Sequence, residues 1–340
     1  MTLAYGVFRP PGGGPRVGAR RDDGIVDLSD LDDVFRAWTL NGFMARGRDY
    51  WRETHERARA LDGPVTDPAD VELLLPFAVA DYVDFYSSLE HATNLGRILR
   101  TDQEPLLPNW RHLPVGYHGR AGTVVVSGTP VRRPSGQLRA GEFGPTRRLD
   151  VELEIGFVVG VPSQLGEPVP AEEVLGHVFG LVLVDDWSAR DIQAWEYQPL
   201  GPFLGKSFAT SISAWVVPLD ELADRRVELP PQEPEPLPYL RAEPWAYELA
   251  LEIELNGETI SRTNARHLYW SVEQQVAHLT VNGASLRTGD LLASGTISGS
   301  EPGARGSLIE LFENARFLAD GDEVVLRAPE IGLEVSARVV

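Results

Sequence analysis

Three short stretches of the chain carry side chains that could do chemistry. In Val151-Glu152-Leu153-Glu154-Ile155 two carboxylates stand two residues apart. Residues i and i+2 of a strand share a face, so Glu152 and Glu154 point one way and the apolar side chains the other. The segment runs on into Gly156-Phe157-Val158-Val159-Gly160, which predicts a buried strand, where two unpaired anions are costly unless a cation joins them. Asp186 closes a second apolar run, Val182-Leu183-Val184. Asp84 precedes His91 in Asp84-Phe85-Tyr86-Ser87-Ser88-Leu89-Glu90-His91, with the histidine in the first turn of an expected helix. Asp84, Glu152, Glu154 and Asp186 together form an all-oxygen donor set suited to Ca²⁺ or Mg²⁺. The bland alternatives are a half-exposed strand with a solvated acidic face and a structural, hydrogen-bonded histidine.

Lys206 is the only lysine among 31 basic residues. An ammonium is compact and strongly hydrated, whereas a guanidinium is a planar fork, so a lone lysine in an arginine-rich chain marks a place where the fork does not serve. Chance survival is the competing reading. The surrounding stretch, Asp185 to Thr210, crowds carboxylates, an amide, cations and aromatics around glycine and proline. Active-site loops have that composition and core strands do not.

The rest of the composition narrows the classes. With 340 residues, 43% of them hydrophobic, the chain reads as an ordinary globular protein of about two domains. The absence of cysteine excludes disulfides, thiolate metal sites and a cysteine nucleophile. A formal charge of −19 argues against nucleic acid as a partner and requires any anion site to be built locally from arginine, lysine or a metal. No apolar run approaches the roughly 18 residues of a membrane span. The N-terminus also lacks the pattern of a signal peptide, so a cytoplasmic location is expected. No phosphate-binding, dinucleotide or H-E-x-x-H motif competes with the carboxylate set.

The elements that must position these residues are mostly strands. Residues 3–27 read as short strands and 31–61 as helical, and a proline-punctuated linker ends a small N-terminal domain over 1–75. Over 76–340, strands are expected at 123–127, 151–160, 177–185, 214–217 and 250–255. Asn256-Gly257 signals a tight hairpin, and a second hairpin pairs 323–327 with 333–339. Helices are expected at 88–100, 189–195 and 271–279, with 230–244 an extended surface connection.

The order and spacing of these motifs resemble the fumarylacetoacetate hydrolase family. The match is carried by Asp84–Arg100, Leu107–Arg120, Leu149–Gly156, Asp186–Thr210, Gly289–Gly299 and Glu310, and more weakly by Tyr5-Gly6-Val7-Phe8 and Ile25-Val26-Asp27-Leu28. The resemblance implies a mainly β, α+β architecture: a small N-terminal SH3-like β-barrel and a larger mixed β-sandwich roll, usually as a homodimer. It implies metal-dependent hydrolysis of a β-diketone C–C bond, fumarylacetoacetate to fumarate and acetoacetate, at the end of tyrosine and phenylalanine catabolism. Acylpyruvate or fumarylpyruvate hydrolases, decarboxylases and isomerases of the wider superfamily are the nearest alternatives, and a non-catalytic metal-stabilised binding protein is the alternative of another class. By the same resemblance Asp84, Glu152, Glu154 and Asp186 hold the Ca²⁺ or Mg²⁺, His91 is the base and Glu310 orients it. Arg190, Gln193 and Lys206 surround the scissile carbonyl, and Tyr86, Arg100, Tyr117, Gln193, Tyr197 and Thr296 contact a small anionic diketo acid. A second, structural Mg²⁺ is implied near Asp186, the Lys206 carbonyl and Thr210. This chain departs in having a shorter N-terminal part, Leu89-Glu90 before the histidine, Ala194, and Ala209 before the threonine.

Overall fold

The computed structural model describes residues 2–100, 102 and 104–340. Strands β1 (Ala4–Arg9), β2 (Arg16–Arg21) and β3 (Gly24–Asp27) form an antiparallel meander. The expected helical stretch over 31–61 is divided in three. A 3₁₀ turn at Asp33–Arg36 is capped by Asp32, a single helical turn spans Asn41–Met44, and α1 covers Arg48–Ala60. Gly47, at φ +84°, separates the last two. The apolar positions of this part bury Tyr5, Phe35, Phe43 and Trp51 against Phe179 of the larger part. Backbone pairing also joins the two parts, because β1 aligns Tyr5 with Val216.

Beyond residue 80 the chain forms β4 (Tyr82–Phe85), α2 (Leu89–Leu99), β5 (Gly116–His118), β6 (Leu153–Val159), β7 (Val178–Asp185), α3 (Arg190–Glu196), β8 (Thr210–Ile212) and β9 (Trp215–Pro218). It continues through β10 (Ala250–Leu255), β11 (Glu258–Asn264), α4 (Val272–Thr280), β12 (Leu291–Ala293), the short α5 (Leu308–Leu311), β13 (Glu323–Ala328) and β14 (Leu333–Arg338). The large sheet runs β3-β2-β1-β9-β7-β6-β12-β4-β5, and β10, β11, β13 and β14 make a separate four-stranded sheet. Strands β6 and β7 are apolar apart from Glu154 and Asp185, with every residue buried, as a strand covered on both faces requires.

Local signals hold where the side chain decides the backbone. Asn256 and Gly257 adopt positive φ, 53° and 82°, and close the β10–β11 hairpin as a primed turn. Ser271 and Gln274 form a reciprocal capping box on α4. The connection over 230–244 is not wholly superficial. It carries a 3₁₀ turn at Pro238–Leu240, and Leu240 packs in a buried cluster with Trp110 and Trp270.

Candidate active site and metal centre

Four carboxylates meet at the heart of the large sheet. Asp84 stands on β4, Glu152 just before β6, Glu154 on β6 and Asp186 just after β7. All four are buried, and one oxygen of each lies within 4.8 Å of the others. The pairing of β6 with β7, which aligns Leu153 with Asp185, puts Asp186 beside the acidic face of the neighbouring strand. The loop after β12 closes the cluster. Gly295, at φ +76°, sends its N–H to Glu154 Oε2 at 3.0 Å, and a Cβ there would meet the Phe85 carbonyl oxygen at 2.3 Å.

Two cations reach this anionic group. Lys206 Nζ donates to Glu152 Oε2 and to Asp186 Oδ2, the latter at 2.6 Å. Arg190 Nη2 donates to Glu152 Oε1 at 2.7 Å. Burial opposes ionisation of Glu152, but Arg190 and Lys206 hold it well below the usual carboxylate range. Asp84 and Glu154 receive no such partner. Burial first, then the neighbouring Asp186 charge, pushes Asp84 far up; burial followed by Asp84 and Glu152 does the same to Glu154. Among the described residues, Asp84 Oδ1 and Glu154 Oε1 are buried without a hydrogen-bond partner. Orphaned carboxylate oxygens facing one another fit a hard divalent cation, which supplies the missing charge and takes oxygen ligands.

His91 stands at the edge of the cluster. Ser88 caps α2 by accepting the His91 N–H, which fixes the histidine in the first turn. Its Nδ1 donates to Glu310 Oε2 at 2.6 Å, and its Nε2 lies 3.9 Å from Glu152 Oε1. A carboxylate acceptor at Nδ1 selects the tautomer whose Nε2 is free to take a proton. Glu310 is held by more than the histidine: Ser298 and Ser307 donate to Oε2 at 2.9 and 2.7 Å, and Asn94 Nδ2 donates to Oε1 at 2.8 Å. Burial works against its ionisation, but His91, Asn94 and Ser307 bring it down to about 2. Its Oε2 stands as a carboxylate acceptor on His91 Nδ1.

The remaining expected residues divide into those gathered here and those apart. Tyr117 donates its hydroxyl to Asp186 Oδ2 at 3.0 Å and Thr210 donates to Asp186 Oδ1 at 3.2 Å. Gln193 Oε1 accepts from Arg190 Nη1 at 3.3 Å. Thr296 Oγ1 is buried and unpartnered. The Tyr86 ring meets His91 edge-on at 5.3 Å, and Arg100 lies near enough for its charge to act on the Tyr86 phenol while its Nη2 donates to the Pro105 carbonyl. Tyr197 stands apart. It is 41% exposed, on a segment where Leu200 and Phe203 also face solvent, and its hydroxyl accepts only from its neighbour Gln198 among the described residues. Glu90, next to His91 in the chain, turns its carboxylate toward Arg305 at 4.0 Å.

Sequence reasoning did not single out Asp150, Asn94, Ser298, Ser307 or Tyr82. Two of them carried a signal. Asp150 extends the alternation of Glu152 and Glu154 by one step, and Asn94 is one helical turn after His91. Tyr82, two residues before Asp84 on β4, is fully buried, with its phenol near Thr210. Burial and the charges of Asp186 and Asp84 push its ionisation far up, so it remains a neutral hydroxyl.

Comparison with known proteins agrees with this geometry. Residues 82–340 match the family model described as fumarylacetoacetate (FAA) hydrolase C-terminal. The chain is 46% identical over 378 residues to the fumarylacetoacetase of Rattus norvegicus, covering 96% of this chain and 90% of that one. It is 45% identical over 377 residues to that of Homo sapiens, with the same coverage. Among solved structures it superposes on a fumarylacetoacetate hydrolase from psychrophilic Exiguobacterium antarcticum with a TM-score of 0.67 at 19% identity, covering 99% of each chain. It superposes on the maleylpyruvate hydrolase of Sphingobium sp. SYK-6 with a TM-score of 0.63 at 18% identity, again over 99% of each. At such low identity the structural matches establish the shared fold.

Proposed function

The chain belongs to the fumarylacetoacetate hydrolase family, and from that premise we propose that it hydrolyses the C–C bond of 4-fumarylacetoacetate to give fumarate and acetoacetate. The observation that carries the reading is the His91–Glu310 pair at 2.6 Å, with the free Nε2 turned to a buried four-carboxylate cluster. A scaffold that merely bound a metal would need the carboxylates and no oriented base.

His91 Nε2 takes a proton from water, and the hydroxide forms a bond to one carbonyl carbon of the diketone. Glu310, ionised throughout, stabilises the imidazolium that results. Arg190, Gln193 and Lys206 face the oxygen on which negative charge develops. Lys206 has three donors, of which two are engaged by Glu152 and Asp186, and the third is directed to substrate. Collapse of the tetrahedral adduct breaks the C–C bond. The electron pair leaves on the carbon of the acetoacetate enolate, which takes its proton back from His91. When bound by Asp84, Glu152, Glu154 and Asp186, a Ca²⁺ or Mg²⁺ supplies Lewis acidity toward the diketone oxygens. Tyr86, Arg100, Tyr117 and Thr296 bind the rest of the diketo acid, Arg100 pairing with a carboxylate that the negative surface would otherwise repel; Tyr197, expected beside them, faces solvent and takes no part.

In the same reading the working form is a cytoplasmic homodimer, residues 1–75 form the SH3-like domain and 76–340 the catalytic roll. A structural Mg²⁺ sits by Asp186, Lys206 and Thr210. The test is loss of the diketone absorbance of fumarylacetoacetate by the purified protein with Ca²⁺ or Mg²⁺, run beside fumarylpyruvate and acylpyruvates. No loss with fumarylacetoacetate, or faster turnover of an acylpyruvate, would overturn the assignment.

A further inference from the structure

Asp150 continues the alternation of Glu152 and Glu154, yet it takes no part in the four-carboxylate cluster. Its oxygens are occupied otherwise. Oδ2 accepts from Arg190 Nε at 2.8 Å and from the Ile309 N–H at 3.3 Å, and it lies 2.7 Å from Arg190 Nη2 as an ion pair. Oδ1 accepts the Leu308 N–H at 2.8 Å and the Val151 N–H at 2.9 Å. Leu308 and Ile309 open α5, the turn that carries Glu310. A single side chain of 0% exposure thus holds Arg190 through a hydrogen-bonded ion pair and the Glu310 turn through two backbone N–H groups.

We propose that Asp150 is a positioning residue that fixes Arg190 and the His91–Glu310 pair in one frame, so that the oxyanion donor and the base approach substrate along set directions. The proposal rests on the hydrolytic reading above. Arg190 also donates to Glu152, and without Asp150 the guanidinium can follow that charge by rotating about its own Nε. All the groups around Asp150 are donors. An asparagine must therefore turn its NH₂ either to Arg190 or to the Leu308 N–H, and one of the two links is lost in either orientation.

The experiment is a double-mutant cycle in kcat with Asp150→Asn and Arg190→Lys, with fold checked by circular dichroism and bound metal by elemental analysis. Residues that orient first-contact groups commonly cost on the order of 10–100-fold when changed. Asp150→Asn should lower kcat by that amount, with KM within about threefold and metal content retained. In the Arg190→Lys background the same change should cost less than about threefold, because the two residues act as one unit. Losses that multiply, or a near wild-type kcat in Asp150→Asn, would overturn the proposal. If that variant does not fold, Asp150→Ser, which keeps one acceptor for the Leu308 N–H, carries the cycle instead. A second readout is independent of turnover. The Arg190 Nε–H resonance, protected from solvent exchange in the wild type, should exchange rapidly in Asp150→Asn; unchanged protection would count against the frame. Wild-type protein inactive on fumarylacetoacetate, with that loss of protection present, would instead sink the hydrolytic reading and uphold the positioning role.

Discussion

Replacing Glu310 by glutamine separates orientation of the base from stabilisation of its charge. Glu310 Oε2 accepts from His91, Ser298 and Ser307, and Oε1 from Asn94. A glutamine oxygen in the Oε2 position keeps the first three bonds, but its NH₂ then faces the Asn94 NH₂. Asn94 repairs this by rotating its amide, at the cost of whatever set its present orientation. The alternative puts the glutamine NH₂ on His91, which forces the proton onto Nε2 and removes the base. Even the favourable orientation lacks the negative charge. Held at about 2 against an ordinary 4.5, the carboxylate is favoured by its site by on the order of 3 kcal/mol. His91, Asn94 and Ser307 share in that preference, so the part that acts on the imidazolium should cost roughly 10- to 300-fold in kcat. KM should change little and metal content not at all. Adding Asn94→Asp supplies an acceptor for the glutamine NH₂ and pins its oxygen on His91, so Glu310→Gln/Asn94→Asp should recover part of the loss. Steady-state kinetics on wild type, Glu310→Gln and the double variant decide the matter. A Glu310→Gln enzyme within about threefold of wild type would refute the dyad, and a double variant slower than Glu310→Gln would refute the amide argument.

Other expectations follow from the same contacts. Exhaustive chelation should abolish turnover, with Ca²⁺ or Mg²⁺ restoring it, and Glu152→Gln should weaken cation binding in a direct titration. Lys206→Arg cannot place a planar fork between Glu152 and Asp186 in the space of an ammonium, and should lose on the order of 10²–10³ in kcat; near wild-type turnover would make the lone lysine an accident of composition. Gly295→Ala forces a Cβ onto the Phe85 carbonyl at positive φ and should lower the melting temperature, with a cost above about 1 kcal/mol. Because Glu310 is depressed in the folded protein, its contribution to stability is complete above about 4.5 and fades as pH falls toward about 2. Urea midpoints measured down that range should fall more steeply for wild type than for Glu310→Gln.

The strand period made Glu152 and Glu154 legible as one face, and the apolar runs around them announced burial. The helix expected over 88–100 placed His91 in its first turn. Convergence was not legible, because it depends on which strands pair. Nothing local in residues 84, 152 and 186 says that β4, β6 and β7 share a sheet with β12 between them, and the role of Glu310 came through the family resemblance alone. The serine and asparagine cradle of Glu310 is tertiary in the same sense: Ser298 and Ser307 look like ordinary loop residues until α5 is folded against α2. In the N-terminal part the charged half of the stretch over 31–61 is a helix, Arg48–Ala60, whereas the apolar spacing before it yields only a 3₁₀ turn at Asp33–Arg36, ended by the extended Ala37, with Trp38 left exposed.

The placement of the acidic cluster bears on how the chain folds. Its anions come from β4, from the start of β6 and from the end of β7; Glu152 and Glu154 are neighbours along one strand, but Asp84 and Asp186 reach them only when the strands have docked. The repulsion between strands is therefore absent from early, loosely packed states and grows as the sheet closes. A cation relieves a penalty that belongs to the native side of the barrier. Its concentration should slow unfolding far more than it speeds refolding, giving a protein whose lifetime, and not its rate of formation, is set by the divalent ion around it.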